Sequence, residues 1–266
     1  MYEFNYHKAS GVSDAAAMLS KHTEAKLLAG GQTLIAAMKL RLASPSDVVD
    51  LSGVKELSGI KVDGGGVTVG AMTTHAAVAT SKDVMKAIPA LARLAGSIGD
   101  RMVRNMGTLG GSVANNDPAA DYPAAVLGLG ATIHTNKRKI AADDFFTGMF
   151  ETALQPGEII TSLTFPLPKR AGYTKFKNPA SRYAIVGVFV AEMGSGVRVA
   201  ITGAGPCVFR APAMEKALGA KFAADAVAKI EFPSKDLNTD IHASAEYRAH
   251  LVTVMTRRAV EQALAV

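Results

Sequence analysis

Two glycine-rich stretches carry the groups best able to hold an anionic ligand. The first is Leu28-Ala29-Gly30-Gly31-Gln32-Thr33, preceded by Lys26 and Leu27 and followed by Leu34. Adjacent glycines permit positive φ and place no Cβ between backbone N–H groups and a ligand. A helix predicted from Thr33 to Arg41 would aim its first amides at the same point, which suits a phosphate or pyrophosphate. A plain Gly-Gly turn between a strand and a helix accounts for the same residues. The second stretch is Met106-Gly107-Thr108-Leu109-Gly110-Gly111-Ser112, continuing through Val113-Ala114-Asn115-Asn116-Asp117-Pro118. Thr108 and Ser112 offer hydroxyls to phosphate oxygens, and Asp121 offers a carboxylate to a ribose hydroxyl or an amine. The competing reading is an Asn/Asp/Gly-rich surface loop with ordinary turn chemistry. Neither stretch is a P-loop or a Rossmann Gly-x-Gly-x-x-Gly fingerprint. Two separated glycine loops imply a dinucleotide gripped between two subdomains.

The remaining chemistry is narrowed by what the chain holds in small numbers. Cys207 is the only cysteine, so an internal disulfide is excluded. An iron–sulfur cluster, which needs about four cysteine ligands, is excluded with it. The six histidines include no His-x-His or His-x-x-x-His pair, so the spacing gives a zinc site little support and no metal ligands are expected. A net charge of +6 would suit nucleic acid. However, the basic residues are dispersed, apart from short clusters such as Lys137-Arg138-Lys139, and no aromatic-interleaved signature accompanies them. An anionic small ligand or an acidic partner fits the charge equally well. No run approaches the ~20 apolar residues of a membrane span, and the N-terminus does not read as a secretory signal. The expected location is the cytoplasm.

These loops must be positioned by a mixed α+β chain. Ser13 reads as the N-cap of a helix from Asp14 to Lys21. Lys26 to Leu28 and Val48 to Leu51 read as strands, which makes residues 1–55 a small βαβ-type unit. From Ile60 the period changes to two: Ile60 and Val62, then Val67 and Val69, flank the turn Asp63-Gly64-Gly65-Gly66, a hairpin signal. Thr73 or Thr74 caps the next helix, and another begins near Ala90. A strand from Ile159 to Phe165 closes at Pro166. Lys169 to Gly172 is the best boundary after it. Ile185 to Glu192 and Val197 to Thr202 form an antiparallel pair, and Ser244 to Ala265 a terminal helix with Arg248, Arg257 and Arg258 on its charged side. The division is therefore 1–55, 56–170 and 171–266.

Several ordered motifs resemble the medium, FAD-binding subunit of aerobic carbon monoxide dehydrogenases and the FAD domain of xanthine dehydrogenases, the molybdenum hydroxylase family. They are Ala29 to Thr33 with Met38-Lys39-Leu40-Arg41, Gly107 to Ser112 with Asp117 to Pro123, Phe145 to Phe150, Gly157 to Ile160, and Asn178 to Ala184. The resemblance implies an α+β FAD-binding fold of the vanillyl-alcohol-oxidase (PCMH) type. A C-terminal three-stranded sheet with a helical bundle would complete it. Leu27, Leu28, Ala29, Gly30, Gly31, Gln32, Thr33 and Leu34 would hold the pyrophosphate and adjoining ribose or ribityl groups. Thr108, Leu109, Gly110, Gly111 and Ser112 would do the same from the other side, with Asn115 in the same loop. Ile98 would lie near the flavin or adenine, Asp121 would bond a polar group of the FAD, and Ile160 would pack against it. Lys175 would stand close to the isoalloxazine, its charge favouring an anionic reduced flavin, and Tyr183 would cover the ring. A solvated strand lysine and a plain core or edge tyrosine are the ordinary readings of those two. Thr33 replaces the Ser of many relatives and keeps the hydroxyl, whereas Ser112 replaces an Asp or Asn. His75, Arg101 and Arg104 lie near the presumed site and are read as structural or partner-facing rather than as redox participants.

By the same resemblance, 2Fe-2S clusters and a molybdopterin cofactor belong to a small and a large partner subunit, in a dimer of heterotrimers. This chain would pass electrons from the clusters to an external acceptor and hold no catalytic acid–base pair. The complex would be cytoplasmic or peripheral at the inner membrane face. The rivals are a self-contained flavin oxidoreductase, which lacks a clustered His/Tyr/acid set here, and a non-catalytic nucleotide-binding assembly subunit, against which the near-complete loops argue.

Overall fold

A computed structural model describes residues 1–265. The chain opens with β1 (Asn5–Lys8), α1 (Val12–Lys21), β2 (Lys26–Leu28), α2 (Leu34–Lys39) and β3 (Asp47–Asp50). The three strands form a parallel sheet in the order β1-β3-β2. The central strand β3 is buried along its length, and Val49 packs with Ala15, Leu51 and Leu57 in a small core. This is the βαβ unit that the sequence implies. Helix α1 starts earlier than expected, and Gly11, not Ser13, is its N-cap. Asp14 draws the chain back instead: its Oδ2 accepts from the amide and the hydroxyl of Ser10 at 2.9 and 2.8 Å. The exposed amide of Val12 is satisfied by Glu56 Oε1 at 3.1 Å.

The middle of the chain runs β4 (Ile60–Asp63), β5 (Gly66–Gly70), then six helices: α3 (His75–Thr80), α4 (Lys82–Ala87), α5 (Pro89–Ser97), α6 (Arg101–Met106), α7 (Leu109–Asn115) and α8 (Tyr122–Leu129). It continues through β6 (Thr132–Thr135), β7 (Lys139–Ala141), α9 (Ala142–Phe145), β8 (Phe146–Gly148), β9 (Glu151–Thr152) and β10 (Ile160–Phe165). Five strands pair antiparallel in the order β4-β5-β10-β6-β7. The β4–β5 hairpin has Ile60 opposite Val69 and Val62 opposite Val67, as the alternation requires. Thr74 caps α3 through the Ala77 amide, while Thr73 instead bonds the backbone of Gly59. Helix α8 is apolar all round and correspondingly buried at every residue.

The chain ends with β11 (Arg170–Lys177), β12 (Ala184–Met193), β13 (Gly196–Thr202), β14 (Phe209–Arg210), α10 (Pro212–Ala220) and α11 (Ala245–Leu264). The three long strands form the antiparallel sheet expected, and the two-residue β14 adds a fourth at its edge. Helix α11 packs against this sheet through Leu251, Val252, Met255, Ala259 and Val260. Ser244 caps it through the amide of Tyr247. Arg248 departs from its expected charged, solvent-facing role: it is buried, and its guanidinium donates to the carbonyls of Ile185 and Gly203 and to Asp240. Those two carbonyls lie at the ends of β12 and β13, so the guanidinium fastens the helix start to the sheet.

Candidate functional site

A cleft of about 580 Å³ opens between the parallel sheet and the central helices, within the size range of cofactor pockets. Both glycine loops line it. The first loop turns out of β2, with Gly31 at a φ of +72°. Among the described residues the amides of Gly30, Gly31, Gln32 and Thr33 have no protein acceptor, so this loop presents the free donors that a diphosphate needs. Gly30 is there for a different reason. A Cβ on it would lie 2.1 Å from the carbonyl oxygen of Met106 and 2.7 Å from Gly107 Cα. The two glycine loops therefore touch, backbone to backbone, and the absent side chain is what lets them meet.

The second loop is built differently from its sequence reading. Most of its amides are already engaged: Leu109 donates to Thr73 at 3.0 Å, Gly110 to Ala71 at 2.8 Å, and Ser112 to Thr108 at 3.1 Å, while the Thr108 amide has no acceptor among the described residues. Thr108 caps α7 by accepting from the Gly111 amide at 3.2 Å. One lone pair of its oxygen serves the helix, and its proton is free to donate to a phosphate oxygen. A Cβ on Gly110 would meet Ala71 at 2.5 Å, so this glycine serves packing against β5 as much as the cleft. The loop offers hydroxyls and the single free amide of Thr108, where the first loop offers a run of four.

Of the residues named from sequence, Leu27, Ala29, Gly30, Gly31, Gln32, Thr33, Leu34, Ile98, Thr108, Gly110, Gly111, Ser112, Asn115, Asp121, Ile160 and Tyr183 line this one cleft. Three do not. Leu28 points away, against Gly31 on the far side of the turn. Leu109 is fully buried in the central core, because it sits on the inward face of α7. Lys175 opens into a second, adjacent cleft of about 490 Å³ with Arg93, Arg104, Lys177 and Arg182. Lys175 is nevertheless joined to the first cleft through Asp121, whose carboxylate it approaches to 2.9 Å. Asp121 also accepts from the hydroxyl of Tyr173. Burial pushes the Asp121 carboxyl up, and Lys175 and Tyr173 oppose that shift.

Other lining residues were not assigned a role from sequence. His75, placed near the site but read as structural or partner-facing, lines the cleft while almost wholly buried, and its Nδ1 has no hydrogen-bond partner. Burial, reinforced by the nearby Arg104, pushes it down to about 4 from 6.5, so it is neutral at pH 7. Arg104 donates to the carbonyls of Ile98 and Gly99 at 2.9 and 3.1 Å and so shapes the turn that carries Ile98. Glu158 lines the cleft beside Ile160. Its oxygens accept from Arg138, Thr135 and the Gln155 amide, and the Arg138 guanidinium holds it down at about 2. Arg182 and Ser181 reach the mouth on a turn fixed by Asn178, which accepts from the amides of Ala180 and Ser181. The Asn178-to-Ala184 motif carried that signal.

The geometry has close counterparts. Residues 2–168 match the family model of the FAD binding domain in molybdopterin dehydrogenase, and residues 171–263 match that of the CO dehydrogenase flavoprotein C-terminal domain. The chain is 36% identical to the nicotine 6-hydroxylase medium subunit of Paenarthrobacter nicotinovorans, over 97% of this chain and 96% of that one. It is 34% identical to the carbon monoxide dehydrogenase medium chain of Afipia carboxidovorans, over 98% and 97%. Among solved structures, reconstituted CO dehydrogenase from Oligotropha carboxidovorans superposes with a TM-score of 0.91 at 35% identity, covering 99% of this chain and 98% of that one.

Proposed function

This chain belongs to the family of FAD-binding subunits of molybdopterin dehydrogenases, and from that premise we propose that it carries electrons from partner iron–sulfur clusters to an external acceptor. The observation that supports this most is the meeting of the two glycine loops across one cleft, one with free amides and the other with hydroxyls. That is a donor set for a diphosphate, and the cleft continues to Ile98, Ile160 and Tyr183, a surface for planar rings.

When bound there, FAD supplies two-electron storage with one-electron exchange. In this reading the Gly30-to-Thr33 amides and the Ser112 hydroxyl hold the pyrophosphate. Thr108 donates its hydroxyl proton while keeping α7 capped. Ile98 and Ile160 exclude water from the ring faces, and Tyr183, half exposed, covers the outer one. Lys175 positions its charge through Asp121, and His75, buried and held neutral, backs Gly107 without adding charge to the cleft. Within the proposal, residues 1–55 and 56–170 form the two jaws and 171–266 the supporting domain.

The single cysteine leaves this chain without the ligands of an iron–sulfur cluster, and membership of this family assigns the clusters to a small partner subunit and the molybdopterin cofactor to a large one. Substrate oxidation then belongs to the large subunit. No helix among the described residues is long and apolar enough to cross a membrane. From the family, and not from that absence, we read the complex as working in the cytoplasm or peripherally at the inner membrane face through its partners. The test is to strip flavin from the purified native complex and follow both half-reactions. Substrate should still reduce the clusters, acceptor turnover should collapse, and added FAD should restore it. Unchanged acceptor turnover without flavin would overturn the reading.

A further inference from the structure

Away from the cleft, three residues distant in sequence converge at the other end of the parallel sheet. His7 Nε2 lies 2.7 Å from Asp47 Oδ1, and His22 Nδ1 lies 3.4 Å from Asp47 Oδ2. All three ligand atoms fall within 4.8 Å of one another. We propose that His7, His22 and Asp47 form a binding site for a divalent zinc-type metal ion.

The donor set selects the ion. Two imidazoles and one carboxylate suit zinc and its borderline neighbours, whereas calcium and magnesium require a shell of oxygens. Tetrahedral zinc binds nitrogen and oxygen at about 2.0–2.2 Å, which separates neighbouring ligand atoms by roughly 3.3 Å. The two measured separations bracket that value, so a small opening of the His7–Asp47 contact admits the ion. The imidazoles stand side by side, 5.6 Å between centroids. Each is about 30% exposed while Asp47 is buried beneath them, which leaves the fourth position facing solvent for a water.

Each ligand is held by structure independent of the ion. Asp47 and His7 lie on adjacent parallel strands whose register pairs Asn5 with Asp47 and His7 with Val49. His22 caps α1, its amide bonded to the carbonyl of Met18. Ser46 donates its hydroxyl to Asp47 Oδ2 at 2.7 Å, the kind of outer contact that orients a ligating carboxylate. Among the described residues, His7 and His22 are the only ionic partners of Asp47. No lysine or arginine competes for it.

The location sets the role. Asp47 begins β3, whereas the first glycine loop follows the end of β2, and β2 runs parallel to β3 with Lys26 opposite Val48. The ion would thus brace β1, α1 and β3 at the end of the sheet opposite the first glycine loop. It would stiffen the jaw that carries Gly30 and Gly31.

Untagged full-length chain, freed of metal and titrated with ZnCl₂ by calorimetry, tests this directly. One zinc should bind per chain, and Co²⁺ in its place should give the intense visible bands of a tetrahedral site. His22→Ala removes a part-exposed ligand and should weaken zinc binding at least about tenfold. His7→Gln should do the same, while His250→Ala should leave binding unchanged. FAD content and circular dichroism should stay constant in all three, which separates a lost ligand from a lost fold. The proposal is overturned if the wild-type chain takes up no zinc, or if His22→Ala and His7→Gln bind it as tightly as wild type. Failure here would leave the FAD reading standing, because the two sites share no residue.

Discussion

The ammonium of Lys175 lies 2.9 Å from Asp121 Oδ1, with both side chains almost wholly removed from solvent. The two residues given separate roles from sequence, one bonding a polar group of the FAD and one beside the isoalloxazine, are thus one ion pair at the wall between two clefts. Its mutual neutralisation tempers the positive field that Lys175 alone would exert on a reduced flavin.

That pairing makes Lys175→Met costly. Removing the ammonium strands a buried carboxylate, and breaking such a pair costs about 3–5 kcal/mol. The double variant Lys175→Met/Asp121→Asn removes both charges and should recover most of the loss. Urea unfolding of the full chain measures this. A single variant within ~1 kcal/mol of wild type would show that water reaches the pair.

Acid should unfold the chain in two windows. His75 is neutral when folded and titrates at about 4, against 6.5 unfolded. Between these values the unfolded chain binds the extra proton, so stability falls as pH drops from 6.5 to 4. Glu158 is ionised when folded, and its contribution, present above 4.5, is lost as pH falls through about 2. The His75 effect is on the order of 3 kcal/mol, and the Glu158 effect is smaller, because its partner Arg138 is part-exposed and screened by solvent. His75→Gln should flatten the upper window alone and Glu158→Gln the lower one alone, read as urea midpoints across pH. An unaltered upper window in His75→Gln would contradict the burial argument.

Gly30→Val drives a side chain into the Met106 carbonyl. Overpacking of this kind costs about 1–3 kcal/mol. Spent on separating the two loops, it should weaken FAD binding by roughly 10- to 100-fold. Gly194→Ala, where a Cβ meets nothing within 4 Å, is the control. Fluorescence titration of flavin into the apo chain compares them. Wild-type affinity in Gly30→Val would mean that the loops need not touch to hold FAD.

Elements with a local cause were legible in the sequence. The β4–β5 hairpin, the β12–β13 pair and the terminal helix follow from alternation, glycine turns and the spacing of apolar residues. Sixteen cleft residues followed from the loops and flanking motifs. What stayed hidden depends on contacts far apart in sequence. Arg248 reads as a surface charge until β12 and β13 bring their carbonyls to it. His7, His22 and Asp47 share no short spacing, so only the β1–β3 register joins them. Leu109 lies in a ligand-like motif, yet helix periodicity turns it inward. Gly110 reads as a phosphate glycine, although its nearest neighbour is Ala71.

The central claim is that this chain holds the flavin and its partners hold the metals. The most direct measurement is cofactor analysis of the native complex before and after its subunits are separated. One FAD should be found per copy of this chain and should travel with it, with iron and molybdenum remaining on the other subunits. A complex without flavin, or flavin that stays with the partners, would contradict the account.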